Sequence, residues 1–157
     1  MKKGDFILIG VLVLIVLFAV LSTKGTHEIN VEYPVTLYGE AGLHEIDYNG
    51  YNDLIKTNEP FIVIIERTGC GYCQMYMPIV EEVANEKKIS IYYIDTEAIP
   101  SEDVQKLSTE NKYLKRNDWG TPTTLLMKGE EILGNIGGYV EKDSFLSFLD
   151  GKVVYGE

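Results

Sequence analysis

The chain has 157 residues, with 14 Lys and Arg against 24 Asp and Glu, a formal net charge of −10. At 45% hydrophobic and 24% charged it can bury a core, which argues against wholesale disorder, and its length fits one domain and little else. The acidic balance argues against a nucleic-acid partner, which would need clustered Lys and Arg. Two cysteines cannot build a disulfide-rich scaffold, nor fill a four-ligand zinc site unaided.

Met1-Lys2-Lys3 precedes an uncharged apolar run from Phe6 to Leu21. As a helix that run is about 24 Å long at ~1.5 Å per residue. A bilayer core is about 30 Å and takes ~20 residues, a length that Gly4, Ser22 and Thr23 help to reach. Residues 1–23 are therefore expected to be an uncleaved, single-pass anchor in the cell membrane. The basic end stays cytoplasmic and the rest of the chain is extracytoplasmic. The competing readings are a cleaved signal peptide and a buried core helix. For cleavage, Val20-x-Ser22 is only a weak small-x-small match, and no lipobox cysteine follows. Residues 24–42 then form a tether and membrane-proximal segment, and 43–157 the folded domain.

In the outer part, short strands are expected at Val35–Tyr38 and Leu43–Ile46, broken at Gly39 and Gly42. Tyr48–Thr57 suggests a short helix. The continuous apolar run Phe61–Ile65, after Pro60, suits a central strand buried on both faces. From Gln74 to Lys88, Met77, Val80 and Ala84 fall at helical spacing. Ile89–Ile94 is a second β-rich run, ending in Asp95. Ser101 with Glu102 and Asp103 marks a helix start, and Val104, Leu107, Asn111 and Leu114 continue that helix. Thr123–Met127 and Glu131–Ile136 are a hairpin around Lys128-Gly129-Glu130. Phe145, Leu146 and Leu149 give a last helix ending at Gly151. This order of elements predicts an α/β fold with a mixed central sheet and helices on both faces.

The chemistry is concentrated at Cys70 and Cys73. A thiolate is the nucleophile in disulfide exchange, and a free Cys is mostly protonated at neutral pH. Cys70 stands where a strand ends and a helix begins, so helix N–H groups and the dipole should lower its pKa and leave its sulfur exposed. Cys73, one turn later, should lie nearer the core. Cys70 can then attack a disulfide, and Cys73 can resolve the mixed disulfide. Two other readings compete. Half a zinc site needs two more ligands, and the only histidines are His27 and His44, both upstream. An inert structural disulfide over two intervening residues would constrain the unfolded chain little.

Cys70-Gly-Tyr-Cys73 at a strand-to-helix turn resembles the thioredoxin superfamily. Pro78, five residues after Cys73, matches the proline that kinks that family's helix. Trp119-Gly-Thr-Pro122-Thr-Thr-Leu-Leu-Met127 resembles its cis-proline loop and following strand. The match spans about residues 43–151. The resemblance implies a thioredoxin-like fold and a thiol–disulfide oxidoreductase, with Cys70 attacking and Cys73 resolving. It implies a cis Pro122 facing the cysteines and Thr121 pairing its backbone with an extended client, beside Gly71 and Tyr72. Its redox group is the Cys70–Cys73 disulfide, with no other cofactor and no metal, and its partners are protein thiols and disulfides. Gly-Tyr with Thr-Pro is similar to bacterial disulfide isomerases. The anchored layout and Tyr92-Tyr93-Ile94-Asp95 resemble bacteriocin transport accessory proteins, which adds a membrane redox partner or transporter as a candidate partner. The rival reading is a non-catalytic module holding an extended client in the same groove.

Two positions depart from the family pattern. Ile64 stands where thioredoxins keep a buried carboxylate, so proton transfer falls to Glu66 if it shares the face of Ile64. The bland reading of Glu66 is a solvated strand-end residue or a partner of Arg67. Gly69 stands where the family has a Trp; Trp119 either covers the site from the other loop or is a core aromatic.

Overall fold

The structure, a computed structural model, describes residues 31–116 and 118–157. The expected anchor, and the tether as far as residue 30, lie outside the described residues. Among the described residues no helix is long and apolar enough to cross a membrane.

Strand β2 is the centre of the fold. The first strand, β1 (Gly42–Glu45), lies at one edge, and β2 spans Pro60–Glu66 with every residue buried. Strand β3 (Ser90–Asp95) runs parallel to β2 on one side and to β1 beyond it. Strands β4 (Thr123–Lys128) and β5 (Glu131–Gly137) follow antiparallel on the other side. The five-stranded order is β1-β3-β2-β4-β5.

Alternation along β2 sorts its side chains into two cores. Ile62 and Ile64 pack under helix α2 (Gly71–Glu86) and helix α4 (Lys142–Leu149), against Tyr76, Val80, Val83, Phe145 and Leu149. Phe61, Val63 and Ile65 face helix α1 (Tyr48–Thr57) and helix α3 (Ser101–Glu110), against Tyr51, Leu54 and Leu107. The mixed sheet with helices on both faces is as the sequence predicts.

Local signals set the helix ends. The Asp47 carboxylate accepts the Gly50 N–H at 2.8 Å and caps α1, which ends on Asn58 in the left-handed conformation. In the β4–β5 hairpin, Gly129 has φ +53° at the tight turn, a conformation glycine adopts without a Cβ penalty.

Three expectations need correction. Val35–Tyr38 is not a strand: Val35 makes one isolated parallel bridge to Val153, and Tyr38 donates to the Pro60 carbonyl instead of joining a ladder. Helix α2 begins at Gly71, three residues earlier than Gln74, because Cys70 itself is the N-cap. Helix α3 stops at Glu110. The buried Asn111 side-chain oxygen accepts the N–H groups of Tyr113 and Leu114, which turns the chain into a short 3-10 helix at Leu114–Arg116.

The packing sets measurable stabilities. Ile64→Ala should cost about 2–5 kcal/mol, since it opens a cavity under α2 and α4. Asp47→Ala should cost only about 1 kcal/mol, the loss of one cap. Denaturant titration with unchanged m-values checks both, and equal losses would contradict this ranking.

Candidate active site

The strand β2 ends at Glu66, and the chain crosses the sheet edge through Arg67, Thr68 and Gly69 to Cys70. This crossing is held by β3 and the residues after it. Asp95 accepts the Thr68 N–H at 3.2 Å and the Thr68 hydroxyl, and also the Glu97 N–H at 2.9 Å. The Glu97 carboxylate accepts the Gly69 N–H at 2.9 Å and lies 3.7 Å from the Arg67 guanidinium. A Cβ on Gly69 would meet that carboxylate at 2.9 Å, so Glu97 fills the space beside the residue where the family carries a Trp.

Cys70 is the N-cap of α2, and both cysteines are free thiols. The Cys73 N–H donates to Cys70 Sγ at 3.4 Å, and Cys70 Sγ lies 3.3 Å from the Thr121 carbonyl oxygen, to which its thiol donates. Burial opposes ionisation of Cys70. It is outweighed by hydrogen bonds from the Cys73 thiol, Thr121 and the backbone of Cys73 and Tyr72, which hold the pKa below the ordinary thiol value. The expected lowering thus acts through direct contacts as well as the helix end. The exposed sulfur does not follow: Cys70 is only 9% exposed, because the Thr121 loop closes over it. Cys73 is 1% exposed, and burial with the Cys70 hydrogen bond pushes its pKa up to about 11.

The Thr121–Pro122 peptide bond is cis, as the resemblance implies. The Gly138 N–H donates to the Pro122 carbonyl at 2.8 Å, which ties this loop to the end of β5. Space over Gly71 and Gly120 is open. Tyr72, 65% exposed, stacks on Tyr139 at 6.4 Å, and Tyr139 meets the buried Tyr76 edge-on. An extended peptide can therefore approach Cys70 between Gly71, Tyr72 and Thr121. Trp119 packs against the core cluster of Phe61 and Leu107, the core-aromatic reading.

Glu66 is not a solvated strand end. It is buried, Arg67 pairs with Glu97 instead, and β2 stays in regular register through Glu66, which pairs with Asp95 of β3. It therefore continues the face of Ile62 and Ile64 under α2. Burial is the main cause that pushes its pKa up to about 7; Asp95, Glu45 and Glu97 add repulsion, and the Arg67 N–H opposes. Glu66 and Cys73 line the same cavity. Of the two histidines, His44 sits on β1 with its ring bonded to the Glu40 carbonyl, and His27 lies outside the described residues. Sequence reasoning missed Asp95 and Glu97 as supports of the Cys70 loop. The only signal was their place at the end of a β-rich run, Asp95 as its last residue and Glu97 two beyond.

A family model described as a thioredoxin-like domain matches residues 50–151. A thioredoxin from Acidithiobacillus ferridurans is 29% identical over 115 residues, covering 73% of this chain and 98% of that protein. A thioredoxin from Allochromatium vinosum is 27% identical, covering 70% and 95%. In fold, the chain is similar to a mutant thioredoxin from Halobacterium salinarum, with TM-score 0.57 at 18% identity over 76% of this chain and 98% of that one. Spinach chloroplast thioredoxin f gives TM-score 0.55 at 19% identity, covering 76% and 96%. A reactive-thiol geometry on this sheet, and a family match over most of the folded part, give one conclusion: the chain belongs to the thioredoxin-like family of thiol–disulfide oxidoreductases.

Proposed function

We propose that the protein is a membrane-anchored, extracytoplasmic oxidoreductase that exchanges disulfides with protein substrates at Cys70 and Cys73. The observation that carries this is the unequal pair of thiols. Cys70 is lowered in pKa at a helix cap under the cis-proline loop, and Cys73 is buried and raised. The uncharged Phe6–Leu21 run behind Lys2 and Lys3 supports the anchor and the outward orientation. That layout, with Tyr92-Tyr93-Ile94-Asp95, supports the bacteriocin transport accessory type, with a transporter or membrane redox protein as partner.

The exchange runs in two steps. The Cys70 thiolate attacks one sulfur of a client disulfide; the other client sulfur leaves with the electron pair and takes a proton. The client strand pairs with the Thr121 backbone and lies over Gly71, Tyr72 and Pro122. Cys73 then gives its proton to Glu66, and its thiolate attacks Cys70. The Cys70–Cys73 bond forms, the bond to the client breaks, and the client leaves as a thiolate. Reversed, the same steps donate a disulfide. The redox group is the cysteine pair itself.

Insulin reduction and equilibration with glutathione test this. The pair should cycle, Cys70→Ala should abolish exchange, and Cys73→Ala should trap a mixed disulfide on Cys70. A pair that never oxidises, or cellular function that survives loss of both thiols, would instead mark a client-holding module. A potential near roughly −120 mV would mark an oxidase and one near roughly −270 mV a reductase.

Glu66 has two expected signatures. Glu66→Gln should slow the resolving step by about 100-fold near neutral pH, the usual scale of a lost general base, and remove its rise through pH of about 7. Stability carries the second. The folded Glu66 keeps a proton between the ordinary 4.5 and about 7 that the unfolded chain releases. The stability it contributes is complete below the unfolded value and lost as pH rises through about 7. Denaturation across that window should show the fall in the wild type and a flatter profile in Glu66→Gln.

A further inference from the structure

The cysteines stand at one end of the folded part. Cys70 caps the start of α2 and Lys87 its end, with 16 helical residues between them. That is about 24 Å at ~1.5 Å per residue, so Lys87 and Lys88 belong to the opposite pole.

Residues from both ends of the folded part meet at that pole. The Val35 N–H donates to the Lys152 carbonyl at 2.7 Å, and the Val154 N–H to the Val35 carbonyl at 2.9 Å. The Gly156 N–H donates to the Lys87 carbonyl at 2.9 Å. A Cβ on Gly156 would lie 2.6 Å from that of Lys88, so only glycine lets this segment press so close. Val35 is thereby pinned beside the end of α2.

The outside of this pole is apolar. Tyr33, Tyr38, Tyr72, Met75 and Val154 are the exposed large hydrophobic side chains among the described residues. Tyr72 and Met75 lie beside the cysteines on α2. The other three lie at the far pole. Tyr33 and Val154 flank the bridge of Val35 to Val153, and the Tyr38 N–H donates to the carbonyl of Pro60, the first residue of β2.

Three lysines stand around them. Lys87 Nζ lies 5.0 Å from the centre of the Tyr155 ring, and Lys152 Nζ 5.1 Å from that of Phe148. Lys88 Nζ donates to a main-chain oxygen of Glu157. Among the described residues, none of the three forms an ion pair with an Asp or Glu side chain, whereas Lys56, Arg67, Lys106, Lys112 and Lys142 do. Glu32, Asp150 and Glu157 share the pole, and the Tyr155 hydroxyl donates to Asp150 at 2.7 Å. Charge here is therefore close to balance, on a chain of net −10.

We propose that this pole rests on a lipid surface, with Tyr33, Tyr38 and Val154 at headgroup depth and Lys87, Lys88 and Lys152 reaching lipid phosphates. The proposal goes beyond disulfide exchange and rests on the anchor reading of residues 1–23.

Chain length points to lipid as the occupant. Residues 24–30 separate the expected anchor from Val31, and seven residues span at most about 25 Å whatever path they take. The pole that begins at Val31 is therefore kept near the bilayer, at a local concentration where a weak contact is occupied. Side-chain chemistry agrees. A tyrosine ring with a polar tip suits the boundary between hydrocarbon and water. A lysine stem lies along apolar surface while its ammonium stays with the phosphates. The balanced charge spares this pole the repulsion that the rest of an acidic chain meets at an anionic bilayer. Docked this way, the protein holds Cys70 on the order of 20 Å from the lipid, close to the length of α2. Its clients then offer their sulfurs on segments that stand that far out, not at headgroup level.

The test reconstitutes the full chain in vesicles of phosphatidylcholine and phosphatidylglycerol and labels side chains with hydroxyl radicals. The comparison is the double variant Tyr33→Asp, Val154→Asp in the same vesicles, and Tyr72 is the internal reference. Labelling of Tyr38 relative to Tyr72 should be about fivefold lower in the wild type, as expected for a ring sunk to headgroup depth. Tyr33 of the wild type should be protected alongside it. Insulin reduction should be equal in the two proteins, since the altered residues lie at the far end from Cys70. Equal Tyr38 labelling in both, in chains that stay with the vesicles through a carbonate wash, would overturn the docking and leave the anchor standing. A protein partner on this face gives that same result, because these vesicles hold no other protein. Protection that grows with the density of the protein in the vesicles would overturn it in favour of contact between copies. A chain that washes off the vesicles loses the anchor, and the docking falls with it.

Discussion

Strand β2 has a strand on each edge and a helical layer on each face. A backbone in that position satisfies its hydrogen bonds in the ladders, and its side chains meet only protein. Five consecutive apolar residues, Phe61 to Ile65, meet that constraint, and each is fully buried. The strand's first acidic residue comes at its last position. There the residue is still paired to β3, but its side chain is buried at the wall of the cavity under α2. Glu66 is raised in pKa because the strand that carries it is committed to the core. The raised carboxyl beside the cysteines is in this sense a property of the end of β2.

The two thiols differ in depth on the next element. A helix that begins directly after the strand puts its unpaired N–H groups at its first residues. Cys70 takes one of those N–H groups, and Cys73, one turn along, is carried beneath it. The same three-residue spacing that lets the sulfurs bond also separates their environments. Asp95 and Glu97, reaching from the end of β3, hold the intervening crossing in place through Thr68 and Gly69. Two acidic side chains thus support the loop that carries the thiol of lowered pKa. Asp95 is held ionised despite burial, by the Thr68 hydroxyl and the amides of Glu97 and Thr68.

The sequence already displayed what periodicity and chain order can carry. The β2 run, the helix Tyr48–Thr57 and the final hairpin were legible because their patterns repeat along the chain. Cys70 and Cys73 were legible because two cysteines at one helical turn have few uses. The pairing of Glu66 with Asp95 was not, since it depends on the register of β2 against β3, which no local pattern encodes. The end of α3 escaped for another reason. Asn111 continues the helical spacing, yet its side chain competes with the backbone for the N–H groups of Tyr113 and Leu114. The burial of Cys70 escaped because the cover comes from a loop 51 residues away.

The chain has a single Trp among eleven Tyr. Trp119 is partly buried against the Phe61–Leu107 cluster and stands two residues before Thr121, whose carbonyl touches Cys70. Indole emission therefore comes from one place, the stem of the loop that covers the reactive sulfur, anchored in the core on the opposite face of the sheet. Excited at the red edge, where tyrosine does not absorb, the protein carries a built-in optical probe of that loop. Any rearrangement of the Thr121 loop takes place within a few residues of it, so the wild-type chain reports that change without a label.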